Sequence, residues 1–144
     1  MLRTSVDMVK KAIVPPSIFL ALILAAGCYF TQYPEVMETH LTLFEEYGAK
    51  LQVLADAGIR VPPQDWGEYV YPQERAANFA RIVGERFGGQ ASLAAFNIVL
   101  KRYGELVATP DILDRPGAAV LIAARREPLQ AAIARTRAAL AAEE

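Results

Sequence analysis

One cysteine, one histidine and one tryptophan occur in 144 residues, and each scarcity removes a class of chemistry. Cys28 has no second cysteine with which to form an internal disulfide. Cys28 and His40 together cannot supply the Cys/His ligand set of a structural zinc site. The fold has to hold by packing, and a metal site would have to be built largely from carboxylates. No axial histidine for haem or chlorophyll is offered by the apolar part of the chain. Positive charge is not in excess either. Fifteen Lys and Arg stand against sixteen Asp and Glu, a net charge of -1 with a pI near 5.9, which is poorly suited to a phosphate backbone.

Recognisable active-site patterns are missing as well. There is no glycine-rich phosphate loop, no HExxH and no Ser or Cys nucleophile in a familiar setting. Glu38 and His40 are two apart and diverge on a helix, as do the adjacent Glu45 and Glu46, so neither pair makes a convergent site. His40 reads as a surface residue and Glu45-Glu46 as a solvated edge. No catalytic residue, metal, cofactor, nucleic acid or small-molecule substrate is therefore expected, and the chain is read as a non-enzyme.

What the chain does hold is apolar mass. Apolar residues make up 53% of it and the mean hydropathy is +0.20, high for a water-exposed domain of this length without a membrane segment or a covered interface. The stretch Ile13 to Tyr33, IVPPSIFLALILAAGCYFTQY, contains no Asp, Glu, Lys, Arg or His. At 1.5 Å per residue, about 20 helical residues cover roughly 30 Å, the thickness of a bilayer's hydrocarbon core. Residues 14–33 are accordingly expected to form one transmembrane helix, with Pro15 and Pro16 in its first turn, where their missing N–H groups cost nothing.

Charge around the stretch sets its orientation. Arg3, Lys10 and Lys11 precede it, whereas Glu35, Glu38, Glu45 and Glu46 follow it before the first basic residue, Lys50. Basic flanks stay in the cytoplasm, so the amino terminus is expected inside and the remainder outside, in the periplasm of a bacterium. Residues 1–13, with Leu2, Val6, Val9 and Ile13 at helical spacing, form an amphipathic segment for the inner membrane surface. Lys10 and Lys11 on one side, and Tyr29, Phe30 and Tyr33 on the other, are the expected interface residues. Gly27, beside Ala25 and Ala26, presents a flat surface on which a neighbouring span can pack.

A second reading competes with the anchor. A basic start, an apolar core and Leu24-Ala25-Ala26-Gly27-Cys28 also describe a lipoprotein signal cleaved before Cys28, which would then be lipidated. Bulky Tyr29, Phe30 and Tyr33 after the cysteine, in place of a polar tether, favour the uncleaved anchor.

Beyond the span, residues 34–144 are enough for one small domain. Pro34 opens a long helix whose stripe is Met37, Leu41, Phe44, Gly48, Leu51 and Ala55, ending near Gly58. Gly58 to Gln73 holds three prolines, two glycines and the only tryptophan, and reads as a loop. Trp66, Tyr69 and Tyr71 there are either a partner-binding rim or a lid folded over the bundle. A helix follows from about Glu74 to Gly88-Gly89, with Ala76, Phe79, Val83 and Phe87 on one face. The next has Leu93, Phe96, Leu100, Tyr103 and Val107 on one face, before Pro110. Asp114 and Pro116 announce a short apolar helix closed by Arg125-Arg126. Glu127-Pro128 is expected to start a separate, alanine-rich final helix.

The expected fold is all-α: a single amino-terminal transmembrane helix followed by a small extracytoplasmic helical bundle. The partners implied are the lipid bilayer and integral membrane protein subunits. The function implied is that of an accessory or assembly subunit in the bacterial inner membrane, perched on a larger complex of respiratory or photosynthetic type, with a periplasmic lipoprotein or secreted binding module as the rival.

Overall fold

The computed structural model describes residues 33–87 and 90–143, with side chains for 33–82 and 90–143. The expected 1–13 segment and the span lie outside it apart from Tyr33, as do Lys10, Lys11, Gly27, Cys28, Tyr29, Phe30 and the side chains of the stripe positions Val83 and Phe87. Among the described residues every regular element is helical, and no helix is long and apolar enough to cross a membrane. The chain divides into two compact units at Met37/Glu38. The features that follow lie in the second of them, Glu38–Glu144, apart from Tyr33 to Met37 at the start of the first helix.

Helix α1 (Tyr33–Asp56) buries Met37, His40, Leu41, Phe44, Gly48 and Leu51. These recur at three and four, so they share one face. Its end is a backbone device. Ile59 N–H donates to Leu54 O at 2.9 Å and Gly58 N–H to Ala55 O at 3.1 Å, with Gly58 at φ 69°. That left-handed position is where glycine carries no Cβ penalty, and the paired bonds occupy carbonyls the helix would otherwise leave open.

The expected loop contains a 3-10 helix, Pro63–Tyr69, and lies against α3 (Ala91–Val107). Trp66 donates its indole N–H to Val107 O at 3.1 Å, and Tyr71 N–H donates to the Tyr103 hydroxyl at 2.7 Å. Helix α2 (Gln73–Phe87) starts just after Pro72 and buries Ala76 and Ala80. Helix α3 buries Leu93, Phe96, Val99, Tyr103, Leu106 and Val107. Val99 takes the fully buried place expected for Leu100, which is only half-buried.

Between α3 and α4 (Ala118–Glu143) a 3-10 turn, Ile112–Asp114, buries Ile112 and Leu113, and Gly117 at φ 73° turns the chain into α4. Here two expectations are corrected. Asp114 and Pro116 do not lie in the first turn of α4, which begins only at Ala118. Nor does Glu127-Pro128 separate two helices: α4 runs through Pro128 for 26 residues. Pro128 is exposed, and so is Ala124, whose carbonyl loses its donor. On the opposite face Ala118, Ile122, Leu129, Ala132, Ile133, Thr136 and Leu140 are buried on both sides of the proline. Packing along that continuous stripe outweighs the lost hydrogen bond.

Side-chain pairs give the helix directions. Gln52 reaches Ala119 O, and Arg137 reaches Glu38, so α1 and α4 are antiparallel. Ser92 meets Glu143 and Arg125 meets Glu105, which makes α3 and α4 antiparallel. Gln73 donates to Leu100 O while Phe79 meets Phe96 edge-on, and so α2 and α3 are antiparallel as well. The unit is an up-down-up-down four-helix bundle.

Candidate functional site

Three clusters hold the unit's chemistry, and the most buried surrounds His40. Being three after Met37 and four before Phe44, it falls on the buried face of α1 and is 8% exposed. This corrects the expectation of a surface histidine, and its spacing within the apolar stripe was the signal available. Nδ1 lies 2.7 Å from the Tyr71 hydroxyl, and ring centroids of Phe79, Phe96 and Tyr71 lie 4.9, 5.9 and 6.0 Å away. Burial among these rings, reinforced by the positive charge of Arg75, holds the imidazole below its ordinary value of 6.5. A neutral ring can then accept the Tyr71 proton at Nδ1.

Tyr71 and Tyr103 extend the cluster. Phe44 sits edge-on to Tyr71 with centroids 5.0 Å apart, and 4.7 Å from Tyr103. Such aromatic pairs contribute about 0.5–1.5 kcal/mol each beyond their buried area. Burial raises both phenols, that of Tyr103 up to about 12, because the charged form would be stranded among the rings. Ring packing closes this cluster, so it presents its hydrogen bonds to itself.

The second cluster joins α1 to α4. Arg137 donates from Nε to Glu38 at 2.9 Å, from one terminal nitrogen to Glu45 at 2.8 Å, and from the other to both carboxylates. Glu38 and Glu45 are seven apart, two helical turns, which puts both on one side of α1. Glu45 therefore belongs to an ion-pair clasp and only Glu46 to the solvated edge expected for both. The Arg137 hydrogen bond is the main reason that the Glu38 carboxyl is held below the ordinary carboxylate value, and both carboxylates raise the guanidinium. Arg137, Glu38 and Glu45 are 35%, 44% and 41% exposed, so water screens the attraction.

A surface hollow of about 370 Å³ forms the third cluster, where the end of α1 meets the start of α4. Arg60, Asp114 and Arg115 stand on its wall. Arg60 pairs with Asp114 at 3.8 Å and Arg115 with Asp111 at 3.5 Å, so its charges are balanced locally. Among the described residues no group of three or more His, Cys, Asp or Glu is placed to hold a metal ion.

Of the aromatic residues that the sequence offers as a partner-binding rim, Trp66 and Tyr71 are 8% and 5% exposed, and their polar atoms bond inward, as in the lid reading. Tyr69 is 37% exposed. Tyr33, expected at the membrane interface, begins α1 and is buried. Larger apolar exposure lies elsewhere: Val53 at the end of α1 and Val120 at the start of α4 are 64% and 74% exposed. Compared with known proteins, the chain matches no family model, and no curated protein or solved structure matches it significantly.

Proposed function

We propose that this chain is a non-catalytic accessory or assembly subunit of a larger bacterial membrane complex. A single span over residues 14–33 anchors it, with residues 1–13 on the cytoplasmic side and the helical bundle in the periplasm. The observation that carries the reading is the charge-free run Ile13 to Tyr33, flanked by Lys10 and Lys11 before it and by acids after it. Lys10, Lys11, Tyr29 and Phe30 mark the bilayer boundaries, and Gly27 offers close approach to a span of the complex. The bundle adds a second argument: the polar atoms of His40, Tyr71, Tyr103 and Trp66 are spent on contacts within the bundle, as suits a unit that braces rather than transforms. Lipid and integral membrane subunits are the partners, and the complex is of respiratory or photosynthetic type.

Mild solubilisation of native membranes holding the full tagged chain, followed by mass spectrometry, tests this. A fixed set of integral membrane proteins should copurify with it. A monodisperse monomer that brings down nothing would overturn the reading.

Small residues leading into Cys28 favour one alternative, a periplasmic lipoprotein or secreted binding module cleaved before that residue. Intact mass separates the two. Loss of residues 1–27 with added acyl mass would establish the lipoprotein.

A further inference from the structure

We infer that the His40–Tyr71 contact is an acid-sensitive latch, and that protonation of His40 frees the segment Ile59 to Pro72 and the start of α2 from the α1–α3 pair. His40 is the chain's only histidine and so the only side chain whose ordinary titration falls between about pH 5 and 8. Its surroundings do not suit a positive charge. The aromatic neighbours from α2 and α3, Phe79 and Phe96, are neutral, and the charge acting on it from α2 is the positive Arg75. From the loop it meets the Tyr71 hydroxyl, which donates to the neutral ring and has to turn from donor to acceptor once Nδ1 gains a proton.

The loop buries Val61, Trp66 and Tyr71 and pairs Arg60 with Asp114 at the surface, and its buried polar ties centre on Tyr71. Tyr71 is both the partner of His40 and, through its N–H, the partner of Tyr103. A further polar tie in the segment is Trp66 to Val107, near the far end of α3. Expelling a charged His40 displaces Tyr71 and with it the Tyr103 bond, whereas the Glu38–Arg137 pairing between α1 and α4 is untouched until Glu38 protonates below its ordinary value. The opening is local to one side of the bundle.

The sign follows from linkage. The open form binds a proton at the ordinary imidazole value of 6.5, the closed form only at a lower pH. Between those two points the closed form loses up to about tenfold in its equilibrium per unit fall in pH. Above the ordinary value the latch is fully engaged.

Hydrogen exchange on the full chain in detergent, at about pH 7.5 and about pH 5, reads this directly once intrinsic exchange rates are corrected for. Amides of Ile59 to Tyr71 should lose protection on acidification, while those of α4 keep theirs. In His40→Gln the pH-dependence should vanish. Tyr71→Phe, which keeps the ring and removes only the hydroxyl, should move the opening to higher pH and serves if the His40 variant does not fold. The inference is overturned if His40 titrates at its ordinary value with the loop still protected, or if His40→Gln shows the same acid loss as the parent chain.

Discussion

Glu143, in the last turn of α4, caps the first turn of α3: it accepts from Ser92 Oγ at 2.6 Å and from Ser92 N–H at 3.0 Å. A carboxylate at a helix amino terminus meets both an open donor and the positive end of the dipole. Because the two residues are 51 apart, this one contact fastens the end of α4 to the bundle. Replacing Glu143 by Ala should therefore lower the unfolding free energy by about 1 kcal/mol, with Glu143→Gln losing less because it keeps an acceptor. Urea denaturation followed by circular dichroism checks both.

Arg137→Ala removes the shared cation of the Glu38–Glu45 clasp and should cost about 1 kcal/mol, since partial exposure screens each pair. Because the carboxyl of Glu38 is lowered on folding, its contribution is complete above its ordinary value of 4.5 and is lost as pH falls through the folded value. Denaturation midpoints of the parent and Arg137→Ala chains should thus converge as pH falls through the folded value of Glu38, below 4.5. They should also approach each other as salt is raised.

Alkaline behaviour follows from Tyr103. Its folded value, about 12, lies above the unfolded value of 10.0, so stability is intact below pH 10 and falls as pH rises through that window. Tyr103→Phe should flatten this alkaline slope while costing about 1–3 kcal/mol at neutral pH, because Tyr71 N–H is left buried without its acceptor. Thermal melts across the alkaline range measure it.

At Pro128 the expected change is a gain. Pro128→Ala supplies the missing N–H to the Ala124 carbonyl, and because the proline ring is exposed the substitution leaves the core intact. Stability should rise by about 1 kcal/mol. Gly117→Ala should do the opposite, by about 1 kcal/mol, because φ 73° strains any residue with a Cβ. Urea midpoints of the two variants against the parent chain check both signs.

Helix order and most of the core are legible in the sequence because periodicity reports directly on which face is buried. Met37, Leu41, Phe44 and Leu51 on α1 and Phe96 and Tyr103 on α3 are buried at their expected positions. Pro128 misleads because its local penalty is visible in sequence while the continuous stripe that offsets it becomes decisive only in three dimensions. For His40, residue type points outward and position on the stripe points inward, and position wins. The Arg137 clasp joins residues 92 and 99 apart, a relationship that no local pattern encodes. Trp66 and Tyr71 could equally have faced a partner, because composition does not tell which side of a loop meets the bundle.

The anchor itself is tested by sidedness in intact cells. In a chain carrying Val120→Cys, at a position 74% exposed on the bundle, a membrane-impermeant maleimide should label spheroplasts without lysis, with the unmodified chain as control for Cys28. The labelled chain should retain its full mass and stay with the membrane after carbonate washing. Labelling only after lysis, release into the supernatant, or a mass starting at Cys28 would contradict the account.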